Sequence, residues 1–95
     1  MMHKAHGVVK TSKATRYMKA LCNHFDRKVT AEHDNNHGTV QFGFGDCEMT
    51  ATDDSLSITV EADNEDHFGR VKYVVGDHLE RFSGEDALII EWQDI

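Results

Sequence analysis

The sequence predicts an α+β fold, a two-layer sandwich in which a mostly antiparallel sheet carries two helices on one face. Two segments repeat apolar residues at the helical spacing, and four further runs alternate apolar with polar residues at the strand period. Turn-forming residues separate these runs. A helix with one apolar stripe and a sheet with one apolar face bury that surface together when the helices lie on the same side. The predicted order is β-α-β-β-β-β-α-β.

The run "GVVKT" has the β-branched content of a first strand. "TSKATRYMKALCNHF" then changes to a helical period, with Thr11 or Ser12 as the expected cap. Ala14, Tyr17, Met18, Leu21, Cys22 and Phe25 follow the i, i+3, i+4, i+7 rule, while Arg16, Lys19, Asn23 and Arg27 face away. "KVTAEH" opens the meander and "DNNHG" turns it, which puts His37 in a turn. In "TVQFGF", Val40, Phe42 and Phe44 point one way. "GD" leads into "CEMTA", where Cys47, Met49 and Ala51 share a face, and "DDS" leads into "LSITVEA", with Leu56, Ile58, Val60 and Ala62 inward. The outward residues, Glu48, Thr50, Thr52, Ser57, Thr59 and Glu61, make one side of the sheet polar and acidic.

Asp63 is the expected cap of the second helix, with Asp66 placing negative charge at its positive end. Phe68, Val71, Val75, His78, Leu79 and Phe82 form its stripe. Gly69 and Gly76 on its flank each cost about 1 kcal/mol relative to alanine, so packing has to hold this helix together. "SGED" ends it, and "ALIIEWQ" is the last strand, with Leu88, Ile90 and Trp92 on one face.

A chain of 95 residues suits one domain over 1–95, with residues 1–6 expected to be disordered. No apolar run approaches the ~18 residues of a membrane span. The start "MMHKAHGVVKTSK" lacks the apolar centre and cleavage site of a secretory signal, so the expected location is the cytoplasm. Cys22 and Cys47 then read as reduced thiols. The net charge of −7 repels phosphate backbones, and the outward sheet face lacks stacking aromatics, which disfavours nucleic acid. Basic residues concentrate only around the first helix, at Lys10, Lys13, Arg16, Lys19, Arg27 and Lys28, where a solvated face is the ordinary explanation.

Seven histidines lean the composition towards metal or proton chemistry. His3 and His6 fall near the chain start, leaving His24, His33, His67 and His78 where a fold can hold them. His78 sits on an apolar stripe, but Val74, Val75, Arg81 and Phe82 occupy the positions where a second helical ligand would stand. A structural histidine with a satisfied ring is its bland reading. His24 lies at the edge of the first stripe, and Cys22 two residues before it points away, so "CNH" forms no chelate in a helix. If the helices lie side by side, His24 and His78 meet and form a coupled pair or a metal site. Cys22 and Cys47 point into the core, where cysteine is inert. "GFGD" lies between strands, not at a helix start, and is a hairpin, not a phosphate loop. "EADNEDH" lacks the ligand pattern of a calcium loop and reads as a charged helix start.

"RYMKALCNHF", "GTVQFGFGDCEMTA" and "VVGDHLERF" followed by "LIIEW" together resemble domain-of-unknown-function family 2218 of bacteria. The resemblance runs from about Thr15 to Trp92 and rests on Tyr17, Leu21, Cys22 and His24 on the first helix and His78, Leu79, Glu80 and Phe82 on the second. Domains of this kind also occur joined to siderophore-interacting reductase-like proteins, which implies a link to iron handling. The expected function is a non-enzymatic binding or accessory module with Tyr17, Cys22, His24 and His78 as ligand-binding candidates. The alternatives are a metal or haem binder using His24 and His78, and a small enzyme using a histidine as general base. The sequence requires no cofactor. A protein partner or homodimer mate is expected on the polar sheet face or an edge strand.

Overall fold

The computed structural model describes residues 2–84 and 88–95. The alternating runs become strands β1 (His3–Lys10), β2 (Thr30–His33), β3 (His37–Gln41), β4 (Asp46–Ala51), β5 (Ser55–Ala62) and β6 (Gln93–Asp94). The helical periods become α1 (Ala14–Phe25) and α2 (Glu65–Ser83). The sheet has the order β2-β3-β4-β5-β1-β6 with every neighbouring pair antiparallel. Helix α1 lies across β2 to β5, α2 lies across β5 and β1, and the two helices touch.

Strand periodicity decides the layers. Val40, Cys47, Met49, Leu56, Ile58 and Val60 are buried under the helices. All six apolar positions of the α1 stripe are buried, as are Phe68, Val71, Val75 and Leu79 of α2. The opposite register row, Thr39, Glu48, Thr59, His6 and Gln93, runs across the other face. Helix α2 runs unbroken through Gly69 and Gly76, since the residues between them pack into the core.

Several local expectations change. β1 begins at His3, four residues before "GVVKT", because Ala5, Gly7 and Val9 keep the inward alternation and the whole run pairs with β5. His3–His6, expected to be disordered, are therefore part of this strand. His37 begins β3 instead of lying in the turn, since the Asp34 carboxylate accepts the N–H groups of Asn36 and His37 at 2.9 and 2.8 Å and closes the turn earlier. Thr11 Oγ1 accepts the Lys13 N–H at 3.1 Å, and neither Thr11 nor Ser12 caps α1, whose N-cap position is Lys13. Asn64, not Asp63, caps α2, its side-chain oxygen accepting the His67 N–H at 2.8 Å.

The last strand is the largest correction. Only Gln93 and Asp94 pair with β1, and residues 88–92 form no strand. Ile90 is buried and lies directly over Gly7, with the Trp92 ring close by, so this segment packs on the layer face of β1 instead of along its edge. Ser83 secures its start: the hydroxyl accepts the Leu88 N–H and donates to the Glu80 carbonyl, both at 2.9 Å. Ala87 and the acidic pair of "SGED" lie outside the described residues.

The turn between β3 and β4 redirects two aromatic side chains towards the helices. Phe42 N–H donates to the Gly45 carbonyl at 2.9 Å across the hairpin. Gly43 has φ +90°, a conformation L side chains rarely adopt. A Cβ on Gly45 would stand 2.8 Å from the Glu61 carbonyl oxygen, so the turn can lie against β5 only with glycine there. The result takes Phe42 and Phe44 out of the strand and stacks their rings, with centroids 5.3 Å apart.

Candidate functional site

His78 is half-buried on α2, and its Nδ1 lies 2.7 Å from the Val74 carbonyl one turn back. A carbonyl only accepts, so Nδ1 carries the hydrogen and Nε2 holds a lone pair in the neutral ring. His24 is exposed in the last turn of α1. The contact between helices brings the two imidazoles together, with centroids 4.8 Å apart and planes tilted by 44°. Partial desolvation holds the His24 imidazole below its ordinary range, and the neighbouring His78, Arg27 and Lys28 push it the same way. At neutral pH this end of the molecule therefore presents a neutral, nucleophilic ring edge beside fixed cations.

Phe25 joins these rings to the sheet. Its ring meets His78 at 5.0 Å and Phe42 at 4.9 Å, both edge-on, at 62° and 78°. Phe82 closes the other side of His24 at 5.3 Å. Edge-to-face contacts of this kind contribute about 0.5–1.5 kcal/mol each beyond burial, so the cluster is positioned and not merely crowded.

Between the end of α1, the β3–β4 turn and α2 lies a cleft of about 450 Å³. Its apolar walls come from Phe25, Val29, Phe42, Phe44 and Val74, and both histidines border it. The charged lining consists of Arg27, Lys28 and Arg70, with no carboxylate. The Arg70 guanidinium lies 4.4 Å over the Phe44 ring. None of the three cations has an ion-pair partner among the described residues. In a chain with 17 acidic and 10 basic residues, this is a marked segregation of charge.

The other candidates sit elsewhere. Tyr17 and Cys22 are buried in the α1 stripe and neither lines the cleft. Burial, with Asp26 adding to it, pushes the Cys22 thiol up to about 11, and burial raises Cys47 as well, so neither supplies a thiolate at neutral pH. Three more histidines are engaged: His37 Nε2 with Glu48 at 3.0 Å, His67 Nδ1 with Asp63 at 2.9 Å, and His6 Nδ1 with the Thr59 hydroxyl at 2.9 Å. Among the described residues no group of three or more His, Cys, Asp or Glu side chains could hold a metal ion, so a cation at His24 and His78 would have two protein nitrogens.

Sequence reasoning anticipates the histidines and notes Arg27 and Lys28, but misses Arg70, Phe42 and Phe44 as their companions. The available signal is "GFG": a hairpin built on glycines forces the flanking aromatics out of register, whereas period-two alternation alone places both on a strand face.

The family model described as "Uncharacterized protein conserved in bacteria (DUF2218)" matches residues 6–93. The NMR structure of PA4090 from Pseudomonas aeruginosa is similar over 96% of this chain and 95% of that one, at 32% identity and a TM-score of 0.81. No curated protein matches the chain.

Proposed function

The chain belongs to this family of uncharacterised bacterial proteins, and from that premise we propose that it is a non-enzymatic binding or accessory module of the cytoplasm. Its ligand site is the cleft bordered by His24 and His78. The observation that supports this reading is the convergence, in one hollow of about 450 Å³, of an ordered ring cluster with cations that have no acidic partner there. Ligand pockets combine an apolar wall with a few oriented polar groups in this way. The link to iron and siderophore handling is the setting we assign to the module, because iron-chelating organic molecules are commonly anionic and would suit the same cations. A protein partner or a second copy would meet the polar sheet face or β2, an edge strand of the sheet.

A second reading, metal or haem binding at His24 and His78, draws support from the ring contact and from the His78 tautomer. Metal-binding histidines commonly donate their second N–H to a backbone carbonyl, as His78 does to Val74. Small-fragment screening mapped on backbone amide resonances separates these readings. Hits should move His24, Phe42, Phe44, Arg70 and His78 together; shifts confined to the outward sheet face would end the cleft reading. Zinc, iron or haem added to the same sample should move both imidazoles if metal is the ligand, and His24→Ala and His78→Ala should each abolish uptake.

A further inference from the structure

The lining of the cleft restricts the chemistry of what can occupy it. Phe25 stands edge-on to both Phe42 and His78, at 4.9 and 5.0 Å. Rings arranged this way offer faces and edges to another ring, and the gain from that geometry is available to a flat aromatic guest and not to a flexible chain. The charged side chains of the cleft, Arg27, Lys28 and Arg70, are all cationic, so an ammonium guest meets their repulsion with no carboxylate there to offset it.

Arg27 and Lys28 follow the C-terminal end of α1, where they also suit the negative end of the helix dipole. Arg70 has no such reason to be there. It projects from the first half of α2, is exposed, places its guanidinium carbon 4.4 Å over the Phe44 ring and has no carboxylate partner among the described residues. A guanidinium stacked on a ring keeps its N–H edges free, and those edges match a carboxylate in a two-point contact. A phosphate dianion fits less well, because the cleft lies at a helix C-terminus and lacks the ring of backbone N–H donors that phosphates use.

Resting on the proposed ligand-site reading, we infer that the cleft binds an aromatic carboxylate. Its ring enters between Phe42, Phe44 and His78, and its carboxylate is held by Arg70, with Arg27 and Lys28 supplying longer-range attraction. The neutral His24 edge accepts a ring hydroxyl where the ligand has one.

Calorimetric titration of the full chain at neutral pH with four probes tests this. Naphthoate should bind about tenfold or more tightly than naphthalene-methanol, the uncharged analogue, consistent with a charge-assisted hydrogen bond. Naphthylmethylammonium should not bind, and decanoate should bind more weakly than naphthoate. Arg70→Ala should erase the advantage of naphthoate over the alcohol; Arg70→Lys should restore part of it. Equal affinity for naphthoate and the alcohol, or an unchanged ratio in Arg70→Ala, overturns the carboxylate assignment while the binding-module reading stands. Decanoate matching naphthoate overturns the aromatic part. If none of the probes binds, the ligand-site reading and this inference fall together.

Discussion

Two hollows lie on opposite faces of the sheet, and they differ in the property that matters for recognition. The helix-side cleft of about 450 Å³ has Arg27, Lys28 and Arg70 and no carboxylate. The outward face has a smaller depression of about 210 Å³, where Lys4 stands among Asp46, Glu48 and Glu61. Histidines follow the same division: His6 and His37 outside are engaged by Thr59 and Glu48, while His24 and His78 inside touch each other. A polar group already satisfied by a neighbour has little free energy left to give a ligand. The outward hollow thus mixes charges of both signs, with Glu48 engaged by His37, and the cleft carries charge of one sign only.

The most severe way to break this contrast is to remove the residue on which the cleft is built. Phe25 is buried and holds Phe42 and His78 in place at once. Phe25→Ala should cost about 3–5 kcal/mol, the range for removing a buried phenyl ring, measured by urea unfolding. Ligand shifts on the helix side should vanish while the amide resonances of Thr39, Glu48 and Thr59 hold their positions. A loss under about 1 kcal/mol would mean that the ring cluster is not a packed unit.

The uneven legibility of the chain follows the same division. Every inward position predicted from period-two and helical spacing in β4, β5 and α1 is buried, because a half-buried element writes its environment into its own sequence. The last strand failed because "LIIEWQ" alternates in burial while lying across Gly7, and alternation records exposure without recording hydrogen-bond partners. Asp63 and Asn64 are adjacent and both are good caps, so only the backbone angles could choose between them. The cleft was half visible. His24 and His78 stood out as polar residues on or beside apolar stripes, but Arg70 looked like any solvated helix residue until the β3–β4 turn set Phe44 beneath it.

A milder change sharpens the contrast by isolating the two imidazoles. Desolvation, then His78, then Arg27 and Lys28 depress His24. His78→Ala opens the site and removes one neighbour, so the His24 titration midpoint, followed by its ring proton resonances, should rise towards the ordinary histidine value. The depression has a consequence for stability with a definite sign. With the folded-state pKa below the unfolded one, the unfolded chain takes up the proton first as pH falls. Stability present above the ordinary histidine range is therefore lost as pH drops through it towards the folded value. His24→Gln should lose less stability than the wild type between neutral pH and mild acid. The difference should be small because the ring is exposed, and an identical pH profile would remove His24 from the coupled site.

The smallest effect belongs to the outward face. His37 and Glu48 meet at 3.0 Å on neighbouring strands, but their side chains are 43% and 63% exposed. Exposed ion pairs contribute about 0–1 kcal/mol because water and salt screen the attraction and two side chains lose freedom to make it. Glu48→Gln should therefore shift the urea midpoint within that bound and leave binding at the cleft unchanged. The bound also discriminates: β3 and β4 are already joined by the register His37↔Thr50 through Gln41↔Asp46, so the sheet does not need this pair for alignment. If Glu48→Gln destabilised the fold by several kcal/mol, or altered the ring resonances of His24 and His78, the two faces would be energetically coupled. The outward network could then no longer be treated as a solvated surface independent of the cleft.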